Sequence, residues 1–509
     1  MSEHPLSEKK PAQLPYPAEK AGVGLSQRSE VGFIRAGLTQ SEARLALSLS
    51  ALAVPLMITI FFYNFVLPAA PARIMRASAA LIPELRLWSE IVSWPLPIPH
   101  DGWGTAILLI VLAVVAFTVY GLAIYISWNQ SGRLHSRLAV GMAAFLFFGM
   151  SVLALPTVNT DIFVYILHGR VAAVHHRNPY YVPPADFPDD PIYPYASPRY
   201  TPYVEDKLPT WTWINVGLAR LAGASPLTNL IFYRSALMLF NLANLASIAA
   251  IVQQLNPRFL LTSWVVYGWN PIVVLYGPSK VDTVMVFFLL LAALFLIAGR
   301  RSASVVALGL SVFVKPFTLP LVVADWLWNL RQGRRRQVIV HVCLFALTTL
   351  VIYAPFLEDP RLIPASLFNL LRRAAPAAPI PALGLLTLAF LVFALWVGRT
   401  QDGSPIKLLK GWTLVALCIS IFLAREGLSY YLMMLIAATS LALSWPLALA
   451  TVALSFFSFL LNSWYMTSNN AFPLPDLLAL PKIFVYLVFI CLVAVAAAAV
   501  IGWRKYRVK

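Results

Sequence analysis

An aspartate stands just beyond the end of a long apolar run, with basic and aromatic residues following at close spacing. The stretch reads Asp161-Ile-Phe-Val-Tyr165-Ile-Leu-His168-Gly169-Arg170, then Arg177-Asn178-Pro179-Tyr180, then a Tyr/Pro/Asp-rich loop ending Glu205-Asp206-Lys207. Ionisable groups at a membrane boundary are costly unless paired or used, so they mark candidate functional positions. A carboxylate there can take a proton from an attacking hydroxyl. Guanidinium and ammonium groups beside it can hold phosphate oxygens. The competing uses are plainer: Asp161 as the N-terminal charge of a helix, Arg170 and Arg177 as contacts to lipid headgroups.

Those residues need a scaffold, and composition says which kind. The chain of 509 residues is 60% hydrophobic and only 12% charged, with a mean hydropathy of +0.75. A soluble domain carries far more polar surface. Repeated apolar runs of roughly 17–25 residues are the mark of membrane-spanning helices, so an all-α, polytopic membrane bundle is expected. The net charge of +17 does not point to nucleic acid. Many of its basic residues fall in short loops beside the runs (Arg133 and Arg137, Arg300 and Arg301, Arg331 with Arg334 to Arg336, and the tail from Arg504). Such loops face the cytoplasm. The cysteines Cys343, Cys418 and Cys491 lie inside apolar runs and make no metal spacing.

Spans are expected near 46–68, 104–128, 138–155, 228–253, 259–277, 281–298, 337–357, 381–398, 409–424, 429–445, 446–461 and 482–503. The stretch 302–330 is broken at Lys315-Pro316 and again at Pro320, since proline removes a helix hydrogen bond, and is read as two short spans meeting near Lys315. The total is about 12–14 spans in a domain covering 46–509. Residues 1–45 read as a disordered cytoplasmic tail, and both termini as cytoplasmic in the plasma membrane. The large external loop, 156–227, is expected to carry two interfacial helices. The first covers 161–174, capped by Thr160 or Asn159, and the second 211–222. With this threading Asp161, Arg170, Arg177, Arg199, Lys207, Lys280, Asp282, Lys315, Arg372, Arg373, Arg425 and Glu426 gather on one external face. Positive charge there runs against the topological bias, and an anionic ligand would account for it.

In these motifs the chain resembles the GT-C class of integral membrane glycosyltransferases, most closely the bacterial polyprenol-phosphate-mannose-dependent mannosyltransferases. The resemblance lies in Asp161, Tyr165, Gly169-Arg170 and Asn178-Pro179-Tyr180. It continues in Asn270-Pro271 followed by Gly277-Pro278-Ser-Lys280-Val-Asp282, and in Lys315-Pro316. It covers roughly residues 140–330 well and the C-terminal third by hydropathy. Tyr200-Thr-Pro202-Tyr203 and Lys280-Val281 depart from the family's usual Tyr-Gly-Pro and His-Asn.

The resemblance implies a GT-C fold and an inverting transfer of a sugar, mannose by likeness, from a polyprenyl-phosphate donor. The acceptor would be a glycan or lipid-linked hydroxyl at the extracytoplasmic face, with Asp161 as the catalytic base. Arg170, Lys315, Arg372 and Arg373 are the candidate donor-phosphate ligands. Tyr165, His168, Asn178, Tyr180 and Asp282 are the candidate sugar or acceptor contacts. Lys315 has a structural partner as its alternative, Asp282 an ion pair with Lys280 or Lys315, Arg372 and Arg373 lipid headgroups. Arg234 is expected to snorkel near a span end, and Arg425-Glu426 to form an ion pair. His168, His175 and His176 do not form a metal set, and no cofactor or divalent metal is expected. A transporter or lipid flippase is the rival reading. It calls for ionisable residues near mid-membrane and on both faces.

Overall fold

A computed structural model describes residues 40–66, 102–128, 130–154, 161–358, 391–392, 404–424 and 429–471. Every regular element among them is helical. In chain order the helices are α1 (Gln40–Phe61), α2 (Gly102–Ser127), α3 (Leu134–Val152), α4 (Asp161–Ala173), α5 (Pro209–Ala222), α6 (Pro226–Leu255), α7 (Leu260–Gly268) and α8 (Pro271–Tyr276). Then come α9 (Asp282–Ile297), α10 (Arg301–Val312), α11 (Leu319–Arg331), α12 (Arg335–Tyr353), α13 (Pro405–Ala424), α14 (Met433–Leu441) and α15 (Trp445–Ala471).

Six helical stretches among the described residues are long and apolar enough to cross a membrane: Gln40–Phe65, Ile107–Ser127, Leu134–Val152, Pro226–Leu255, Arg335–Phe356 and Trp445–Asn462. A seventh crossing is made if α7 and α8 count as one span bent by 51°. The bend falls at Asn270-Pro271, because proline cannot continue the ladder. Asn270 instead caps α8, accepting from Ile272 N at 2.9 Å. The described residues are therefore all-helical, and the chain is a multi-pass membrane protein. The break expected at Lys315-Pro316 is present: α10 ends at Val312, α11 starts at Leu319, and Lys315 sits extended between them.

Two boundaries differ from the sequence reading. Helix α1 begins at Gln40, ahead of the apolar run, because Glu42 has work inside the protein. Its carboxylate accepts from the backbone N–H of Arg133 at 2.8 Å and of Ser136 at 3.4 Å, and from the Ser136 hydroxyl. Those are donors that the first turn of α3 leaves unsatisfied. Helix α4 is not a half-exposed interfacial helix, since Ile162 to Val171 are all buried. It is enclosed by α5, α6 and the loop 184–196. The expected caps Asn159 and Thr160, and the spans 381–398 (apart from 391–392) and 482–503, lie outside the described residues.

Close backbone contact explains Gly169. A Cβ there would stand 2.5 Å from Asn215 Oδ1, 2.8 Å from the Asn215 carbonyl oxygen and 2.8 Å from the Tyr233 hydroxyl. Gly169→Ala is expected to cost about 1–3 kcal/mol by overpacking this three-helix seam. Thermal unfolding in detergent reads the effect, and an unchanged midpoint would mean that the seam is looser than described.

Candidate functional site

The site is built where α4, the segment before α5, the α8–α9 turn and the α10–α11 break meet. Each contributes at least one member of a lysine–carboxylate pair. Lys280, at the end of the turn Gly277–Lys280, pairs with Asp161 at the first position of α4. Lys207 pairs with its neighbour Asp206. Lys315 reaches Asp282, the first residue of α9, at 2.6 Å.

Their exposures differ in a way that matters. The Asp161 side chain is 35% exposed and that of Lys280 3%. Asp206 is 34% exposed against 13% for Lys207. Lys315 and Asp282 are both buried, at 7% and 1%. Two carboxylates thus stand at an opening with their ammonium partners beneath, while the third pair is closed.

Aromatic rings make the floor. Lys280 Nζ lies 4.1 Å from the Tyr430 ring centroid, and Lys315 Nζ is 5.4 Å from Tyr430 and 5.1 Å from Tyr431. Lys207 Nζ is 5.5 Å from the Tyr165 ring, which meets Trp211 edge to face. A cation over a ring face keeps part of the stabilisation it loses with water. Partial burial pushes the Asp161 carboxyl up. The Lys280 ammonium, helped by Lys207 and Lys315, more than offsets this and holds it below the usual carboxylate range. Burial alone would lower Lys207, but Asp206 and Glu205 overcome it and raise the ammonium above its ordinary value. At neutral pH the site therefore holds an ionised Asp161 carboxylate with the Lys207 ammonium nearby.

The turn that carries Lys280 is fixed from behind. Thr283 donates to the Gly277 carbonyl at 2.9 Å, and Asn244 donates to the Thr283 carbonyl at 3.2 Å and to the Tyr267 hydroxyl at 2.7 Å. Tyr267 in turn donates to Asn241 at 3.0 Å. A Cβ on Gly277 would stand 2.7 Å from Asn241 Nδ2, so only glycine lets the turn sit this close. Arg234 does not snorkel. It is buried and donates to the Val152 and Ala154 carbonyls, closing the end of α3 from which the chain runs on to Asp161. Backbone bonds from Thr210 N to Phe313 O (2.9 Å) and from Leu208 N to Val314 O (3.4 Å) tie the Lys207 segment to the Lys315 break.

Several residues singled out by sequence have other partners. Arg170 is buried and gives both Asp190 carboxylate oxygens a hydrogen bond from Nε, at 3.0 and 2.9 Å. Its Nη1 donates to the Gly223 carbonyl at 2.7 Å. That carbonyl ends α5 because Gly223 turns the chain at φ 72°. Asp190 also holds His175 at 2.8 Å, and His175 stacks on Phe187. His168 donates from Nε2 to the Tyr203 carbonyl at 3.0 Å and turns Nδ1 toward the buried Glu205 at 3.6 Å. Burial drives the Glu205 carboxyl upward despite His168 and Lys207.

Asn178 donates to the Phe356 carbonyl at 2.9 Å and accepts from Tyr180 N at 3.1 Å. The Tyr180 hydroxyl donates to the Lys207 carbonyl at 3.0 Å and meets Thr212 Oγ1 at 2.7 Å. The Asn-Pro-Tyr segment is thus a fastener between the loop and the end of α12, and it steadies Lys207. Of the sequence-derived set, Asp161, Tyr165, Asp282 and Lys315 come together. Arg170, His168 and Asn178 serve the loop, and Arg177 is exposed. Arg372, Arg373, Arg425 and Glu426 lie outside the described residues.

The sequence reading gave no role to Asp206, Tyr430 or Tyr431, used Lys207 only as an external charge, and offered Lys280 as a partner for Asp282 rather than for Asp161. A Tyr-Tyr pair opening a span on the face that holds unpaired-looking lysines was the available signal. No family model, curated protein or solved structure matches the chain. The described residues define a helical, multi-pass membrane protein in which three lysine–carboxylate pairs lie against the rings of Tyr165, Tyr430 and Tyr431.

Proposed function

We propose that the protein is an integral membrane glycosyltransferase of GT-C type, transferring a sugar from a polyprenyl-phosphate donor to a glycan or lipid-linked acceptor. The carrying observation is Asp161, a carboxylate one-third exposed and ion-paired with the buried Lys280, with the Lys207 and Lys315 side chains close enough to lower its pKa. On this reading the site faces the extracytoplasmic side and the full chain makes about 12–14 crossings.

Asp161 accepts the proton of the acceptor hydroxyl as that oxygen bonds to the anomeric carbon. The bond from that carbon to the phosphate oxygen breaks on the opposite face, inverting the centre. The electron pair leaves with the polyprenyl phosphate, whose charge meets preorganised lysine side chains. Tyr165, Tyr430 and Tyr431 offer ring faces and hydroxyls to the sugar. Mannose is the first donor to try, on the strength of the motif likeness, with arabinose and glucose beside it.

Product stereochemistry tests the mechanism. Transfer from an anomerically pure donor should give product of the opposite configuration by NMR. Retained configuration would reject a single displacement with Asp161 as base. Vectorial flux of lipid or solute in proteoliposomes, with no sugar transfer from any of the three donors, would favour the transporter reading.

A further inference from the structure

Burial divides the three ion pairs into two kinds. In Lys315–Asp282 both partners are enclosed, and neither can leave without stranding a charge. In Asp161–Lys280 the carboxylate stands at the opening while the ammonium is enclosed. Asp161 can turn to water; Lys280 cannot. Besides the Tyr430 ring, Asp161 supplies the one carboxylate within ion-pair distance of Lys280 among the described residues. The pair therefore opens at low cost only when another anion takes the place of the carboxylate.

We infer that Asp161–Lys280 is an exchange latch: an organic phosphate anion displaces Asp161 from Lys280, occupying the lysine and releasing the carboxylate into the opening. Combined with the glycosyltransferase reading, on which this second step rests, the exchange sets an order. The phosphate-bearing substrate binds first, and only then does Asp161 regain the basicity to accept a proton from a hydroxyl. A locked carboxylate is a weak base, so hydroxyl activation is suppressed while the site is empty of phosphate. Lys207–Asp206 repeats the exposed-acid, enclosed-base arrangement and offers a second ammonium to the same anion.

Among the described residues, the charged groups facing Asp161 are Lys280 from the α8–α9 turn, Lys207 from the segment before α5, and Lys315 from the α10–α11 break. Asp282, Asp206, Tyr165, Tyr430 and Tyr431 complete the surroundings. Replacing Lys280's carboxylate by a bound phosphate leaves Asp161 next to added negative charge, which favours its protonated form. Anion binding is then coupled to proton uptake, and binding tightens as pH falls through the carboxylate range.

Dihexyl phosphate is the probe, because a phosphodiester keeps a single charge throughout that range. Its binding to the purified full-length protein is measured by titration calorimetry from pH 4 to 7, in buffers of different ionisation enthalpy. Wild type should bind more tightly as pH falls, with proton uptake. Asp161→Asn should bind on the order of tenfold more tightly than wild type at pH 7, the factor that one pKa unit of coupling represents. It should also lose the proton uptake. Lys280→Met should bind at least tenfold more weakly.

Absence of saturable binding by wild type, a wild-type affinity flat across this pH range, or Asp161→Asn binding no tighter than wild type would each overturn the exchange. The wild-type pH series needs no variant to fold. Anion exchange without sugar transfer from any donor would remove the glycosyltransferase reading and leave the exchange standing. Sugar transfer with an anion affinity indifferent to position 161 would do the reverse.

Discussion

Arg170→Met is expected to lower stability by about 3–5 kcal/mol, the cost of leaving a buried partner charge uncompensated. The motif likeness had offered Arg170 as a ligand for the donor phosphate. Its position argues for another task. The guanidinium is enclosed, bidentate to Asp190, and bonded to the carbonyl that terminates α5. Asp190 in turn holds the backbone N–H of Ile192 at 2.9 Å and His175 at 2.8 Å. Removing the guanidinium strands that carboxylate and frees the loop 184–196 from α4 and α5. In an Asp190→Asn background the same substitution should cost less, because the stranded charge is gone. Chemical or thermal unfolding of the two single variants and the double variant measures the coupling. A variant that melts like wild type while its donor KM rises would return Arg170 to the phosphate.

The second large effect is on the rate. Asp161→Asn should reduce kcat by about 10²–10⁴-fold, the usual contribution of a positioned general base. Because the enclosed Lys280 loses its carboxylate partner, the rate is read on protein whose unfolding is measured alongside. The base must be ionised to act, so activity is present above its pKa and lost as pH falls through it. Partial burial favours the neutral form, but Lys280 and the lysines beside it win, so the acid limb of kcat/KM lies below the ordinary carboxylate range. In Lys280→Met the strongest opposing cation is gone while burial remains, and the limb should move to higher pH. A limb that stays put in that variant would detach Lys280 from the base.

Much of the scaffold was readable from the sequence because a bilayer imposes long apolar runs and proline imposes breaks. The interruption at Lys315-Pro316 and the helix beginning at Asp161 follow from such local rules. The bend at Asn270-Pro271, in contrast, falls inside a span read as continuous over 259–277, and the helix read as 211–222 starts at Pro209. Pairing was not readable in the same way. Lys280 meets Asp161 across 119 positions, and Tyr430 comes under Lys280 only once α14 packs beside α9. Nothing local in either segment specifies the other.

Loop polarity also misled in a consistent direction. Arg170, His168 and Asn178 look like ligands in a linear reading because they are polar, clustered and close to Asp161. A loop that folds into a buried layer must satisfy its own donors and acceptors, and these three side chains do that. Asp282 and Lys315 were left between ligand and mutual partner by the sequence, and the structure gives them to each other at 2.6 Å. The residues that remain at the opening, Asp161 and Asp206 over Lys280 and Lys207, are distinguished by exposure, which no sequence pattern reports.

The central claim is that Asp161 abstracts a proton during sugar transfer from a polyprenyl phosphate. The direct test is transfer of radiolabelled sugar from polyprenyl-phosphate mannose, arabinose or glucose to glycan and glycolipid acceptors by the purified protein in nanodiscs, with Asp161→Asn alongside. Labelled product is expected from wild type with at least one donor, with its near disappearance in Asp161→Asn while that variant still binds dihexyl phosphate. Transfer by Asp161→Asn at the wild-type rate, or no transfer by wild type from any of these donors, would contradict that claim.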